Sequence, residues 1–173
     1  MGKSDQTIIP NRYQVVPRTL CFITHGPHDD NDNNDVLLLH GAPDKRIWPN
    51  QYNGIGGHVE PGEDVHTAAL REIREETGLS VRDLRLRGVI NIPVESNTGI
   101  LLFVFTAITA TRDVRPSDEG APEWVSGDRA AELDLVEDLP TLLPRVLAMG
   151  PDDPPFFAHY GYDEQERLVI TFS

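Results

Sequence analysis

Three carboxylates dominate the chemistry available to this chain: Glu72, Glu75 and Glu76, spaced i, i+3 and i+4. On a helix such residues lie side by side, about 5–6 Å apart at Cβ, where like charges repel by a few tenths of a kcal/mol per pair. A solvated face normally mixes signs. Three carboxylates on one turn instead form an oxygen donor set suited to a hard cation such as Mg²⁺. Arg71 immediately precedes the first of them, and Glu63 lies eight residues earlier. A guanidinium can grip a carboxylate through two parallel hydrogen bonds, so Arg71 and Glu63 are matched to tie the preceding loop to the helix.

The stretch that must position these groups reads GHVEPGEDVHTAALREIREETGL from Gly57 to Leu79. Asp64 is placed to N-cap a helix, and Gly78 to close it in a left-handed C′ conformation. Between them Val65, Ala69 and Ile73 fall on one stripe at helical spacing, the face to be buried. Gly54, Gly56 and Gly57 lead into this unit and let backbone come close to a metal or a phosphate.

The stretch resembles the box of the Nudix hydrolase family: a glycine, five residues, Glu, seven residues, then Arg-Glu-aliphatic-x-Glu-Glu-x-Gly-aliphatic. Every specified position is met. The resemblance implies an α/β/α sandwich with a mixed β-sheet and a Mg²⁺-dependent pyrophosphohydrolase, with Mn²⁺ able to substitute. It carries over Glu72, Glu75 and Glu76 as metal ligands, together with the carbonyl of Gly56. A further carboxylate before an edge strand, Glu119 with Asp118 as the alternative, would be an outlying ligand or general base. Glu60 is a candidate acceptor behind the ligands.

Within the family, the run Tyr52-Asn53-Gly54-Ile55-Gly56-Gly57, with Leu142-Leu143-Pro144 and Phe157-Ala158-His159-Tyr160, is similar to the oxidised purine nucleoside triphosphatases. That likeness implies Asn53 and Asp138 as readers of a nucleobase. The plainer roles for the same residues are a turn cap and the N-cap of a helix starting at Leu139. Val136-Glu137-Asp138-Leu139 lacks the tryptophan and the second Asp of those enzymes, and His58 stands where many members carry Lys. The expected substrate is a nucleoside triphosphate, oxidised purines included. The alternatives are ADP-ribose or a nucleotide sugar, for which Pro93 is a faint pointer, and a non-catalytic nucleotide-binding module. Diphosphate isomerisation stands last, because it calls for a reactive cysteine in the pocket.

Along the chain, residues 1–12 read as a flexible N-terminus and 13–173 as one domain. Tyr13–Thr24 reads as a strand interrupted near Pro17, and His25–Asp35 as a polar hairpin tip whose carboxylates lack the spacing of a calcium loop. In the loop from Gly41 to Gln51, Lys45 and Arg46 are candidates for a phosphate contact, against ordinary solvent-facing charge. Trp48 is a candidate to stack on a base, against a loop anchor. Tyr52–Gly56, Leu84–Val94, Ile100–Ala110, Glu123–Val125, Phe156–Tyr162 and Leu168–Phe172 read as strands. Ala130–Leu133 reads as a helical turn, and Leu139–Met149 as a second helix burying Leu142, Leu143, Val146 and Leu147.

Composition sets the outer bounds. The 173 residues carry a net charge of −13 and no basic run. That argues against nucleic-acid polymers and anionic membranes as partners, and the family resemblance implies a small nucleotide instead. An acidic protein that handles phosphates must neutralise them locally, which again favours a divalent cation. With one cysteine there is no intrachain disulfide, and Cys21 sits in an apolar run as a buried thiol. Without a membrane-length apolar segment or a signal-type N-terminus, the cytoplasm is the expected compartment.

Overall fold

Buried apolar residues in four consecutive positions, Leu20 to Ile23, mark a strand covered on both faces, and the rest of the sheet is built around it. The computed structural model describes residues 9, 11–26 and 35–173. Its strands are β1 (Gln14–His25), β2 (Asp35–Gly41), β3 (Tyr52–Asn53), β4 (Arg82–Glu95), β5 (Thr98–Thr109), β6 (Gly120–Ser126), β7 (Phe156–Tyr162) and β8 (Leu168–Phe172). The helices are α1 (Val65–Thr77) and α2 (Leu139–Leu147), with a 3₁₀ turn at Gly127–Glu132.

The sheet is mixed, in the order β3-β2-β1-β5-β4-β7-β8, with β6 paired to β2. β1 runs parallel to β5 from Gln14↔Thr98 to His25↔Thr109. Strand alternation then splits the core in two. Cys21, Ile23, Leu37, Leu39, Phe105 and Ala107 pack with Ala69 and Ile73 of α1. Leu20, Phe22, Val36, Leu38, Leu102 and Val104 pack with Leu139, Leu142, Leu143 and Val146 of α2. One helix on each face gives the α/β/α sandwich expected from the sequence. Among the described residues no helix is long and apolar enough to cross a membrane.

β1 corrects one expectation, because it runs through Pro17 without a break. The Pro17 carbonyl accepts from Val59 N–H at 3.1 Å, so the edge that lacks an N–H faces this loop rather than the β5 ladder. A proline is tolerated in a strand on that condition. Most of the expected flexible N-terminus (residues 1–8 and 10) and of the hairpin tip (residues 27–34) lies outside the described residues. β1 and β2 pair antiparallel through Ile23↔Leu37 and Thr24↔Val36.

Candidate active site

Helix α1 forms where its caps are strong. The Asp64 carboxylate accepts from His66 and Thr67 N–H, both at 2.9 Å, and Gly78 takes φ +76° while donating to the Arg74 carbonyl at 3.0 Å. Burial of Ala68, Ala69 and Ile73 fixes the helix rotation, and that turns Glu72 and Glu76 toward the glycine run.

The glycine run is held against β1. Cys21 and Ile55 exchange backbone hydrogen bonds of 2.6 and 3.0 Å, and Thr19 N–H donates to the Gly57 carbonyl at 2.9 Å. A Cβ on Gly56 would stand 2.1 Å from the Thr19 carbonyl oxygen, and one on Gly57 would stand 2.4 Å from Glu72 Oε1. The first approach, against backbone, is closed to any residue with a side chain, and the second would push the Glu72 carboxylate aside. Gly56 N–H donates to Glu76 Oε2 at 3.1 Å, and its carbonyl takes no backbone partner among the described residues.

Arg71 is the hub. It grips Glu63 through Nη2 at 2.7 Å and Nε at 3.2 Å, the two-pronged pairing expected from the sequence. It also donates to the His58 carbonyl at 2.9 Å, to Glu72 at 3.0 Å and to Glu75 at 3.1 Å. Glu63 in turn accepts from Glu60 N–H at 2.9 Å, so loop and helix are sewn together. These bonds hold the Glu63 carboxyl below its ordinary range. Across the cleft, Lys45 Nζ lies 2.7 Å from Glu119.

Burial sets the charge states. Glu76 is 5% exposed, and desolvation pushes its carboxyl up to about 8 against the opposing Gly56 hydrogen bond. Burial raises Glu72 as well, with Arg71 pulling the other way. Among the described residues no three acidic, histidine or cysteine side chains already converge in a ligating geometry. Arg71 and Lys45 hold Glu72, Glu75 and Glu119 instead. The donors nevertheless fit a hard divalent cation: all are oxygens, and Glu76 is a buried carboxylate whose one recorded partner is a neutral N–H.

These groups line a single cavity of about 800 Å³, the size range of a nucleotide-scale ligand. It brings together Glu72, Glu75, Glu76, Arg71, Gly56, His58, Glu60, Asp118 and Glu119. Lys45, Arg46, Trp48 and Asn53 line it too, although Asn53 Oδ1 accepts from Gly54 N–H at 2.8 Å, in keeping with the turn-cap role. Glu63 stands behind Arg71, outside the lining.

Asp138 sits at the N-cap position of α2, which starts at Leu139 as expected, but its side chain fills neither expected role. It is not in the lining, and its side chain caps no helix N–H. Its carboxylate accepts from Tyr160 OH at 2.7 Å against the α2 face, and burial raises its carboxyl. Arg18, Gln51 and Ser117 line the cavity and escaped the sequence reading. For Ser117 a signal existed, since it lies beside the flagged Asp118 and its Oγ accepts from Glu119 N–H at 3.2 Å. Cys21 is fully buried, with its thiol pushed up by desolvation, which removes the isomerase reading's nucleophile.

The family profile described as NUDIX domain matches residues 26–146. The oxidized purine nucleoside triphosphate hydrolase of Mus musculus is 27% identical over 133 residues, covering 76% of this chain and 83% of the relative. The nucleoside triphosphatase NudI of Enterobacter sp. is 32% identical over 118 residues, 61% of this chain and 83% of the relative. In fold, the chain is similar to the mutator MutT protein of Bacillus halodurans, with a TM-score of 0.73 at 22% identity over 92% of this chain and 98% of that one.

Proposed function

The chain belongs to the Nudix family of hydrolases, which act on phosphorus-containing acid anhydrides, and on that premise we propose that it is a Mg²⁺-dependent pyrophosphohydrolase of nucleoside triphosphates, oxidised purine nucleotides included. The observation that carries the reading is one cavity. In it the carboxylate turn of α1, Gly56 and the Glu119 loop meet the basic, aromatic loop of Lys45, Arg46 and Trp48.

In this reading Glu72, Glu75, Glu76 and the Gly56 carbonyl hold the cation, and Glu119 is an outlying ligand or the base. The cation would supply charge screening and Lewis acidity at the scissile diphosphate. Arg71, clamped by Glu63, keeps Glu72 and Glu75 in place. Lys45, Arg46 and His58 face the phosphates. Trp48 and Asn53 meet the nucleoside, whereas Asp138, turned toward Tyr160, is left out of the base site. The partner is a small nucleotide and the setting the cytoplasm. The likeness to the mouse and Enterobacter enzymes supports triphosphates as the substrate class.

The test is a hydrolysis panel with Mg²⁺: ordinary and oxidised purine triphosphates, pyrimidine triphosphates, ADP-ribose and nucleotide sugars, with products identified. The expected result is nucleoside monophosphate release from triphosphates, sustained by Mn²⁺, poorly by Ca²⁺, and abolished in excess chelator. Cleavage of ADP-ribose alone overturns the substrate assignment, and undiminished turnover in chelator overturns the metal assignment.

A further inference from the structure

A second cavity, about 230 Å³ in volume, shares no lining residue with the catalytic one. It opens between β4, the ends of β1 and β5, and the turn after α2. In a chain of net charge −13, three of its lining residues are arginines: Arg82, Arg85 and Arg87.

The backbone of β4 is irregular where these residues stand. Arg82 pairs with Ile108 and Arg85 with Thr106, three steps on β4 against two on β5. By strict alternation Arg82 would face away from Arg85, and the extra residue restores it to the same side. Asp83 carries the chain through this bulge at φ +52°, a conformation Asp tolerates better than most residues. A second irregularity follows, since Leu86 pairs with Phe105 and Gly88 with Val104, which leaves Arg87 as the inserted residue. Bulges of this kind re-aim side chains.

The guanidinium groups of Arg85 and Arg87 are fixed by neutral acceptors, while the exposed Arg82 side chain is left without one among the described residues. Arg87 is 2% exposed, donating through Nε to Thr106 Oγ1 at 2.6 Å and through Nη1 to the Gly150 carbonyl at 2.8 Å. Arg85 Nη1 donates to the Pro151 carbonyl at 2.7 Å. Among the described residues none of the three makes an ion pair. Asp83 lines the cavity without bonding them, and the Asp153 carboxylate accepts from Gly150 N–H instead. Burial, then the charge of Arg85, lowers the Arg87 guanidinium from its ordinary range, with the charge of Asp153 pulling the other way. A buried cation that no carboxylate pairs directly is unfavourable unless something neutralises it further.

We propose that this cavity is a binding site for a phosphate-class oxyanion, held by Arg82, Arg85 and Arg87. The planar forks of Arg85 and Arg87, held in place by the turn carbonyls, match the geometry of phosphate oxygens, and Arg82 is left to turn toward them. The volume accepts a phosphoryl group and falls short of the roughly 300 Å³ at which sites for larger ligands begin. A nucleoside attached to that phosphoryl group would therefore stay outside. The source is free phosphate or the phosphate of a nucleotide monoester.

The test titrates the full chain with inorganic phosphate in excess chelator, at ionic strength matched with chloride, by calorimetry and by the shift in Tm. Arg82→Gln and Arg85→Gln are run alongside. The Arg82 side chain makes no hydrogen bond to the described residues, so its variant is expected to fold like the wild type. Phosphate is expected to raise the Tm of the wild-type chain, because a ligand of the folded state stabilises it by mass action. Arg82→Gln is expected to weaken binding by about tenfold, the worth of one charge-assisted contact, with its unliganded Tm unchanged. A nucleoside monophosphate in the second arm binding more tightly identifies the nucleotide as the source, and more weakly, free phosphate. Absence of heat and of a Tm shift in the wild-type chain overturns the proposal. So does wild-type affinity in both variants, which would put the anion elsewhere. Either failure leaves the hydrolase reading standing, since the two cavities are separate.

Discussion

The two cavities handle charge in opposite ways. In the catalytic one, carboxylates outnumber cations, and Arg71 and Lys45 sit among them as internal counter-charges. In the other, among the described residues, the arginines form no ion pair, and Arg85 and Arg87 are tied only to carbonyls and a hydroxyl. An acidic group that already has a basic partner can exchange it for a metal ion with little reorganisation. A basic group with no partner can only recruit an anion. The difference teaches that a local surplus of sign, rather than the net charge of −13, indicates what each cavity takes.

The comparison breaks most sharply at Glu76. Glu76→Gln is expected to lower kcat/KM by about 10³-fold or more, roughly 4 kcal/mol of transition-state stabilisation. Circular dichroism should show the fold retained, because the amide can still accept from Gly56 N–H. A variant keeping near-wild-type Mg²⁺-dependent turnover removes Glu76 from the metal site.

The same residue predicts a pH effect of the next size. In the fold its carboxyl titrates at about 8, against an ordinary 4.5. The raised value means folding favours the protonated form. That stabilisation is fully present below pH 4.5 and is lost as pH rises through about 8. Denaturant unfolding in excess chelator should therefore show stability falling across this window, on the order of a few kcal/mol. In Glu76→Gln that part of the slope should vanish. A slope of equal size in both proteins would assign it to other groups.

Arg71→Lys dismantles the counter-charge itself. An ammonium cannot reproduce the paired grip on Glu63 together with contacts to Glu72, Glu75 and the His58 carbonyl. Stability is expected to fall by about 1–3 kcal/mol, with activity falling as the carboxylate turn loses its register. A Tm within error of the wild type would mean the hub is ornamental.

Much of the acidic side was legible in the sequence because its determinants are local. Asp64, Gly78, the Ala69–Ile73 stripe and the three glutamates lie within fifteen residues and act through helix geometry alone. The glycine run was legible for a similar reason, since close backbone approach demands glycine whatever the partner. What escaped depends on distant chain. Pro17 reads as a breaker until β5 and the 57–59 loop show which side its nitrogen faces. Asp138 reads as a cap or a base reader until Tyr160, 22 positions away, takes its carboxylate. Arg18 and Gln51 carry no motif and reach the cavity only because β1 and the loop before β3 are brought together by the fold. The arginine cavity was hidden most deeply, because Arg82 and Arg85 share a side only after a bulge that alternation does not predict.

The finest division concerns Lys45, and Lys45→Ala is the smallest effect expected. Its ammonium lies 2.7 Å from Glu119, at 29% side-chain exposure against 55% for the carboxylate. A pair this wet contributes about 0–1 kcal/mol to stability, so Tm should move little. Its worth lies in where the charge goes once a triphosphate arrives. If Lys45 leaves Glu119 for a phosphate oxygen, it binds ground and transition states alike. KM should then rise by about three- to tenfold with kcat steady, the loss of one partly exposed charge-assisted contact. If it only restrains Glu119, KM stays and kcat falls as the carboxylate wanders. Steady-state kinetics of Lys45→Ala and Lys45→Arg separate the two, since arginine restores a phosphate contact but not the same hold on Glu119. A rise in KM rescued by arginine is the outcome expected, and a kcat defect that arginine does not rescue would assign Lys45 to the carboxylate side of the cleft.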